Sequence, residues 1–395
     1  MTTSDNEGRT GVWLVGARGS VATTAITGAA ALRDRLIPTT GCVTESPELL
    51  DEGMPGFDSL VFAGHDITET PLPKRAEQLE AAGILPRGVR ELVHTDLAAT
   101  DQRIRRGVGS EEAGHGQLET AERLIEQLCS FRELYGLSRV VVINVAATEA
   151  HPPGRNEHTG LEELEHGLRR SDPDGGAVLP PSSLYAYAAL RAGCPYADFT
   201  PSVGARLPAL DELAARRGVP YAGSDGKTGE TLVKSALLPM FSSRALRVHS
   251  WSGTNLLGGG DGRNLADPDN VTSKTTSKQR AAHESLGYPV DGEVHIDYVS
   301  ALGEWKTAWD HISFEGFLDN RMTMQFTWQG CDSALAAPLV LDLARLLARA
   351  HERGHSGPLS QLGFFFKDPV ASDEHRLVAQ FETLRTFVRR LREGQ

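Results

Sequence analysis

The chain has 395 residues, 40% hydrophobic and 23% charged, with a formal net charge of -12. That length predicts two or three domains with substantial cores, and the composition is that of an ordinary globular protein. The acidic balance excludes a general nucleic-acid binder, which needs a basic surface, but not a small anion held by a local cluster of lysines. From the N-terminus, Met1 to Thr10 is polar and lacks the apolar core of a signal peptide. No apolar run has bilayer length, so a cytoplasmic protein with no membrane partner is expected. Gly11 to Val15 reads as a short buried strand, followed by a glycine turn and an Ala/Thr-rich helix over Val21 to Arg33. Thr39 to Val43 and Ser59 to Phe62 suggest further short strands. Helical stretches follow at Lys74 to Ala82, Leu118 to Tyr135 and Leu161 to Arg169. Between the last two, Val140 to Val145 is a β-branched run of the kind found in parallel strands covered on both faces. Strands alternating with helices indicate a doubly wound α/β sheet. Arg105 to Gly116 and Ser171 to Pro181 read as surface loops.

After about residue 230 the pattern changes. Glu293 to Tyr298, His311 to Phe317 and Arg321 to Trp328 alternate like strands with short spacers, which predicts an antiparallel or mixed sheet in a second domain. Ser333 to Ala350 returns to a strong helix, as expected if the second domain is inserted into the first. The cysteines Cys42, Cys129, Cys194 and Cys331 form no CxxC pair, so neither a zinc site nor a disulfide framework is expected.

Gly16-Ala17-Arg18-Gly19-Ser20-Val21-Ala22 lies between a strand and a helix. Glycines there let the backbone approach a pyrophosphate, whose charge sits on the helix N-terminus. An acid at the end of the second strand would hold the adenosine ribose, with Glu45 and Asp66 as competing candidates. His65 reads as a packed or solvated histidine. Asp225-Gly226-Lys227-Thr228-Gly229 offers backbone N–H groups, a hydroxyl and a cation to an oxyanion, without the spacing of a P-loop.

The chain carries seven lysines against thirty-three arginines, and six of the seven lie between Lys227 and Lys367. Lysine is a compact point charge whose pKa falls on burial, so it can shuttle protons where arginine cannot. Lys274 and Lys278 are four apart and would share a helix face. Lys367 follows three phenylalanines, an apolar approach that suits a tuned lysine. Asp332 either orients a lysine or caps the following helix.

At these residues the chain resembles the inositol-1-phosphate synthase family, also called inositol-3-phosphate synthase, in its shorter archaeal-type branch. The segments LVGARGSVATTA, VVINVAATEA, AGSDGKTGETLVK, NLLGGGDG, SKTTSK, WKTAWD, CDSALAAPLVLDLAR and FFFKDP carry the likeness, which runs nearly end to end. It implies an α/β fold in which an NAD-binding Rossmann domain, residues 1–228 and 333–395, is interrupted by an α+β catalytic and oligomerisation domain, residues 229–332, in a homotetramer. It also implies an isomerase-class enzyme that uses NAD without net redox change. In the family, glucose 6-phosphate is oxidised at C5, an enolate forms and closes on the C1 aldehyde, and the retained NADH reduces the C5 ketone. Developing oxyanions need cations in a dry site, and the enolisation needs a proton acceptor.

By the resemblance, Lys306 and Lys367 belong at proton transfer near C5, and Lys274 and Lys278 at the phosphate and the C1 oxygen. Asp225 and Asp332 join them as catalytic residues. Gly16, Ala17, Arg18, Gly19, Ser20, Val21, Asp66, Ala147, Thr148, Gly226 and Ser333 fall at cofactor positions, and Lys227, Thr228, Asn255, Leu257 and Asp261 at substrate positions. A divalent or monovalent cation is a further candidate cofactor. The chain departs from the family at Gly253-Thr254, at Gly259 and Gly260, and at Asp198, where an Asn is common. Because the changed residues include the substrate loop, fructose 6-phosphate closing to a five-membered carbocycle stands as the alternative substrate. A Rossmann dehydrogenase with net hydride transfer, a silent NAD-binding protein and a Schiff-base aldolase are the alternatives from other classes.

Overall fold

The computed structural model describes residues 8–109, 116–150, 152–170, 176–258 and 286–394. In chain order the elements begin β1 (Thr10–Val15), α1 (Ser20–Arg33), β2 (Leu60–Asp66), α2 (Leu72–Ala81), α3 (Val89–Leu92) and α4 (His94–Asp101). They continue with β3 (Ile104–Arg106), α5 (Gln117–Leu134), β4 (Arg139–Asn144), α6 (Leu161–Arg169), α7 (Pro181–Arg191), β5 (Tyr196–Asp198), α8 (Pro208–Arg217) and β6 (Pro220–Gly223). There follow α9 (Gly229–Ser243), β7 (Arg247–Leu257), β8 (Val294–Tyr298), β9 (Lys306–Glu315) and β10 (Arg321–Gly330). The chain closes with α10 (Asp332–Glu352), β11 (Gly357–Pro358) and α11 (Leu377–Glu393).

Two compact units emerge, one of Met1–Gly226, Ala337–Asp373 and Thr383–Gln395, the other of Lys227–Ala336 and Glu374–Glu382. The short Glu374–Glu382 segment, expected in the returning Rossmann part, thus groups with the second unit.

In the first unit seven strands form a sheet in the order β11-β6-β5-β4-β1-β2-β3, and every pair is parallel. Val140, Val141, Val142 and Ile143 of β4 are at most 1% exposed, because helices cover both faces of the sheet. Each such side chain contributes roughly 1.5–3 kcal/mol by leaving water. On α5, Ala121, Leu124, Leu128 and Phe131 recur at helical spacing and join Val140 and Val142 in one core. The strand order reverses between β1 and β4, where Val15 pairs with Asn144. In such sheets the crevice beyond the carboxyl ends at this reversal is the ligand site.

The strand expected at Thr39 to Val43 is instead a turn and a 3-10 helix over Val43–Glu45. Buried Asp342 of α10 accepts from Val43 N at 2.7 Å, Thr44 N at 3.1 Å and Thr44 Oγ1 at 2.5 Å, so these backbone donors have no need of a ladder. Burial lifts the Asp342 carboxyl to about 6, against those hydrogen bonds, which lower it.

The second unit is built on a four-stranded sheet in the order β10-β9-β7-β8. β7 runs antiparallel to β9 and parallel to β8, so the sheet is mixed. Leu238 and Phe241 of α9 pack on Trp251, Ile312 and Phe314. β7 was not expected as a strand. A bulge between Val248 and Ser250 shifts its register and breaks the alternation that marks a strand in sequence. No helix among the described residues is long and apolar enough to cross a membrane.

Candidate active site

The glycine turn leaves β1 at the strand-order reversal. Gly16 has φ of 85°, and a Cβ there would fall 2.7 Å from Ala146 Cα, so only glycine fits. The His65 carbonyl accepts from Gly16 N at 2.8 Å and Ala17 N at 3.1 Å, which fixes the turn against β2. No side chain caps the start of α1 at Gly19, and the first turn carries no acid. The positive end of the helix dipole at this N-terminus suits an anion.

His65 is a packed residue. Trp13 Nε1 donates to its Nδ1 at 2.9 Å, which places the proton on Nε2, 2.7 Å from Gln127 Oε1. Burial holds its pKa down at about 4, so the ring stays neutral.

Asp66 ends β2, where a ribose-binding acid belongs. Its carboxylate accepts from Arg18 N and Thr68 N, both at 2.6 Å, tying the glycine turn to the loop after β2. The Arg18 guanidinium points elsewhere, to Asp101 Oδ1 and the Thr68 carbonyl, both at 2.9 Å. Glu45, the competing acid, is held by Arg345 at 2.6 Å in the 3-10 helix and does not reach a strand end. Beyond β4, Ala147 and Thr148 are exposed. The turn, the uncapped helix and Asp66 together fit a dinucleotide.

The loop after β6 is laced on both sides. Asp225 N donates to the Thr200 carbonyl at 2.8 Å and Gly226 N to the Phe199 carbonyl at 2.9 Å. Lys367 N donates to the Asp225 carbonyl at 2.7 Å, and Ser224 N to the Asp368 carbonyl at 2.8 Å. Asp225 sits at φ of 59°, a conformation aspartate tolerates better than most residues. Lys367 Nζ donates to Asp225 Oδ1 at 2.9 Å, and both side chains keep partial exposure. Gly226 lies flat on the Phe199 ring, where a Cβ would fall 2.0 Å from a ring carbon.

A second lysine–aspartate pair lies within the second unit. Lys306, first in β9, donates to Asp332 Oδ2 at 3.1 Å, and Thr228 Oγ1 donates to Asp332 Oδ1 at 3.1 Å. Gly229 has φ of 55° and would bring a Cβ to 3.1 Å from Lys306 Nζ. Asp332 thus orients a lysine from the first turn of α10, and Ser333 beside it contacts Cys331 Sγ at 3.0 Å. Lys227 is buried, its ammonium donating to Gln380 Oε1. Burial lowers its pKa to about 8, against the opposing charge of Glu374.

Leu257 pairs with Lys306 at the end of β7. Asn255, two residues earlier, is 1% exposed and its amide has no hydrogen-bond partner among the described residues. An amide so placed costs free energy unless a ligand or water completes it. Asp261, Lys274 and Lys278 lie outside the described residues, as do Gly259 and Gly260.

Several polar residues here were not singled out from sequence. Glu230 pairs with Lys234 at 2.7 Å within α9, Lys234 lies 5.3 Å from the Trp251 ring centre, and Trp251 Nε1 donates to buried Asp310 at 2.7 Å. The (i, i+4) spacing of Glu230 and Lys234 was a readable signal. Asp310 gave none beyond being an acid on a strand. Among the described residues no group of three or more His, Cys, Asp or Glu side chains is placed to hold a metal ion.

Each pair sets an ammonium, a proton donor, against a carboxylate that holds its orientation. Such pairs can exchange protons with a substrate hydroxyl and stabilise a developing oxyanion. An NAD-binding family model described as myo-inositol-1-phosphate synthase matches residues 10–389. Inositol-3-phosphate synthase 1 from Bacteroides thetaiotaomicron is 33% identical over 93% of this chain and 91% of its own length. The Bos taurus protein of the same name is 30% identical over 80% of this chain, and the match spans only 60% of that longer relative. Among solved structures, inositol-3-phosphate synthase from Caenorhabditis elegans has a TM-score of 0.82 at 22% identity, covering 98% of this chain and 86% of that one.

Proposed function

The chain belongs to the myo-inositol-1-phosphate synthase family, and from that premise we propose that it converts glucose 6-phosphate to an inositol phosphate, as an isomerase-class enzyme using NAD catalytically. The observation that carries this reading is the pair of lysine–aspartate contacts, Lys367–Asp225 and Lys306–Asp332. A simple dehydrogenase needs one proton acceptor beside its cofactor, whereas this reaction also enolises and closes a ring.

Gly16 to Val21 would hold the pyrophosphate of NAD, and Asp66 its ribose. When bound, NAD supplies the oxidation and later re-reduction of one carbinol carbon. Lys367, entering the step as the neutral amine, takes the proton of the C5 hydroxyl and returns it at the end, with Asp225 holding the ammonium so formed in line. Lys306, held by Asp332 and Thr228, moves a proton during enolisation and stabilises the oxyanion that develops there. Asn255 supplies an amide to a sugar hydroxyl, which would complete its hydrogen bonds. The cyclisation conserves atoms and electrons, so NAD ends as it began.

The test supplies glucose 6-phosphate with substoichiometric NAD and follows both product and cofactor. The expected result is many turnovers to a carbocycle by NMR with no net rise in NADH absorbance. Sustained NADH accumulation would identify a dehydrogenase instead.

A homotetramer is part of the same reading. On the second unit Trp305, Trp309, Phe317, Leu318 and Met322 are exposed, with Phe317 at 88%. Exposed apolar residues in such number favour association. Sedimentation velocity at micromolar protein should give one species of four chains, and a monomer would refute this.

A further inference from the structure

Asp198 belongs to neither lysine pair nor to the glycine turn, yet contacts to both begin at its carboxylate. It ends β5 and is 2% exposed. Oδ1 accepts from Thr200 N at 2.9 Å and Thr200 Oγ1 at 2.6 Å. Oδ2 accepts from Tyr196 OH at 2.9 Å and Asn144 Nδ2 at 3.2 Å, and the same Asn144 NH₂ lies 3.3 Å from Oδ1. Asn144 in turn accepts from Ala146 N at 3.2 Å through its own Oδ1. Ala146 is the residue that backs Gly16, and the Thr200 carbonyl is the acceptor for Asp225 N at 2.8 Å.

We propose that Asp198 is a positioning residue that fixes two backbones at once, the Ala146 turn behind the cofactor-binding glycines through Asn144 and the Asp225 loop through Thr200. The proposal rests on the cofactor placement given above. In this chain every hydrogen-bond partner of the carboxylate donates to it, so an acceptor-only group matches this set of partners where the family's common Asn would not. Burial lifts the Asp198 carboxyl to about 6 although the hydrogen bonds from Thr200, Asn144 and Tyr196 all lower it, so these donors keep a buried charge in place.

Asp198→Asn tests the requirement for an acceptor with almost no change of shape. If the introduced amide turns its oxygen to Thr200, its NH₂ meets Asn144 Nδ2. Tyr196 OH adapts by donating to the Ser182 carbonyl, 3.2 Å away. Asn144 is left with two poor choices: it keeps only the contact to the remaining oxygen, 3.3 Å away, with its NH₂ against the new NH₂, or it rotates and turns its own NH₂ on Ala146 N–H. If the introduced amide is reversed, Thr200 N–H loses its acceptor instead. Every arrangement therefore either sets two donors against each other beside Asn144 or strands one backbone N–H. The paired exchange Asn144→Asp with Asp198→Asn removes the conflict at unchanged net charge. The carboxylate then sits at position 144, accepting from Ala146 N–H and from the amide at 198.

The experiment uses the full chain and compares D198N, the N144D/D198N pair and the wild type. Amide hydrogen exchange over 145–149 and 199–202 is measured without NAD, and NAD affinity by calorimetry. In D198N we expect exchange in at least one of these segments to quicken about tenfold and the NAD Kd to rise about tenfold, the scale of one lost hydrogen bond. The pair should return both readings to within about threefold of wild type. A purely structural role would lower the melting temperature without moving NAD affinity in the folded fraction, and would overturn the proposal. So would a pair no closer to wild type than D198N, or wild-type exchange in D198N. Should D198N fail to fold, the pair alone decides: wild-type exchange and affinity uphold the proposal, and the same failure to fold sinks it. Neither reading needs the sugar, so a wild-type chain inactive on glucose 6-phosphate would refute the proposed substrate and leave this test standing.

Discussion

Replacing Lys367 with Arg is expected to lower kcat by about 10²–10⁴ while the NAD Kd stays within a few-fold of wild type. Arginine keeps the positive charge and a fork that can grip Asp225 from the same position, so the ion pair at 2.9 Å has a substitute. What arginine lacks is an accessible neutral form, since its pKa lies above about 12. The substitution therefore separates charge from proton transfer, which removal to alanine would not do. The buried backbone around the site is held by the Asp225 and Ser224 hydrogen bonds, which do not involve the lysine side chain, so folding should survive. Near-normal turnover in K367R, followed by product NMR, would remove Lys367 from proton transfer. Asp225→Asn is the companion, because asparagine also tolerates the left-handed backbone found there at φ of 59°. It should cost less than K367R, since the ammonium remains and only its anchor weakens.

The Rossmann half was legible because its signals are local. A buried strand, a glycine turn and a small-residue helix lie within Thr10–Arg33, and β4 announces itself by an unbroken β-branched run. The proposed ribose acid was harder. Asp66 follows Gly16 by some fifty residues because a segment without strands, anchored on Asp342 and Arg345 of α10, intervenes before β2. Only tertiary contacts almost 300 residues apart in sequence explain why Glu45 is turned away from a strand end. In the second unit, β7 hid behind its bulge, and Asn255 and Leu257 read as loop residues when they close a strand. Lys227 was only partly legible. Its Gly/Thr setting suggested an anion site, and nothing local showed that its buried ammonium also donates to Gln380, near the C-terminus. Asp198 stood out only as a departure from the family's common Asn, and its role stays hidden until the donors around it on a three-residue strand are seen.

Lys306→Met should reduce kcat by about 10² or more, and Asp332→Asn by about tenfold, with the two effects failing to add. The reason is geometric. Lys306 is largely covered, whereas Asp332 is more exposed and touches Lys306 and Thr228. If Asp332 acts by holding the ammonium in line, removing it matters only while the ammonium is present. The K306M/D332N double variant should then be no slower than K306M alone, a coupling that single variants cannot reveal. Methionine keeps the apolar stem of lysine without its ammonium, so most of the packing beside Gly229 is preserved and the loss reads on charge and proton transfer. An additive double variant would mean that Asp332 meets the substrate by a route of its own. Gly229→Ala sharpens the same point without touching a charge. It places a methyl 3.1 Å from Lys306 Nζ on a backbone at φ of 55°, and so should displace the ammonium from Asp332. If the orientation of Lys306 is what matters, G229A should lower kcat together with kcat/KM while NAD affinity holds, and D332N should add little to it.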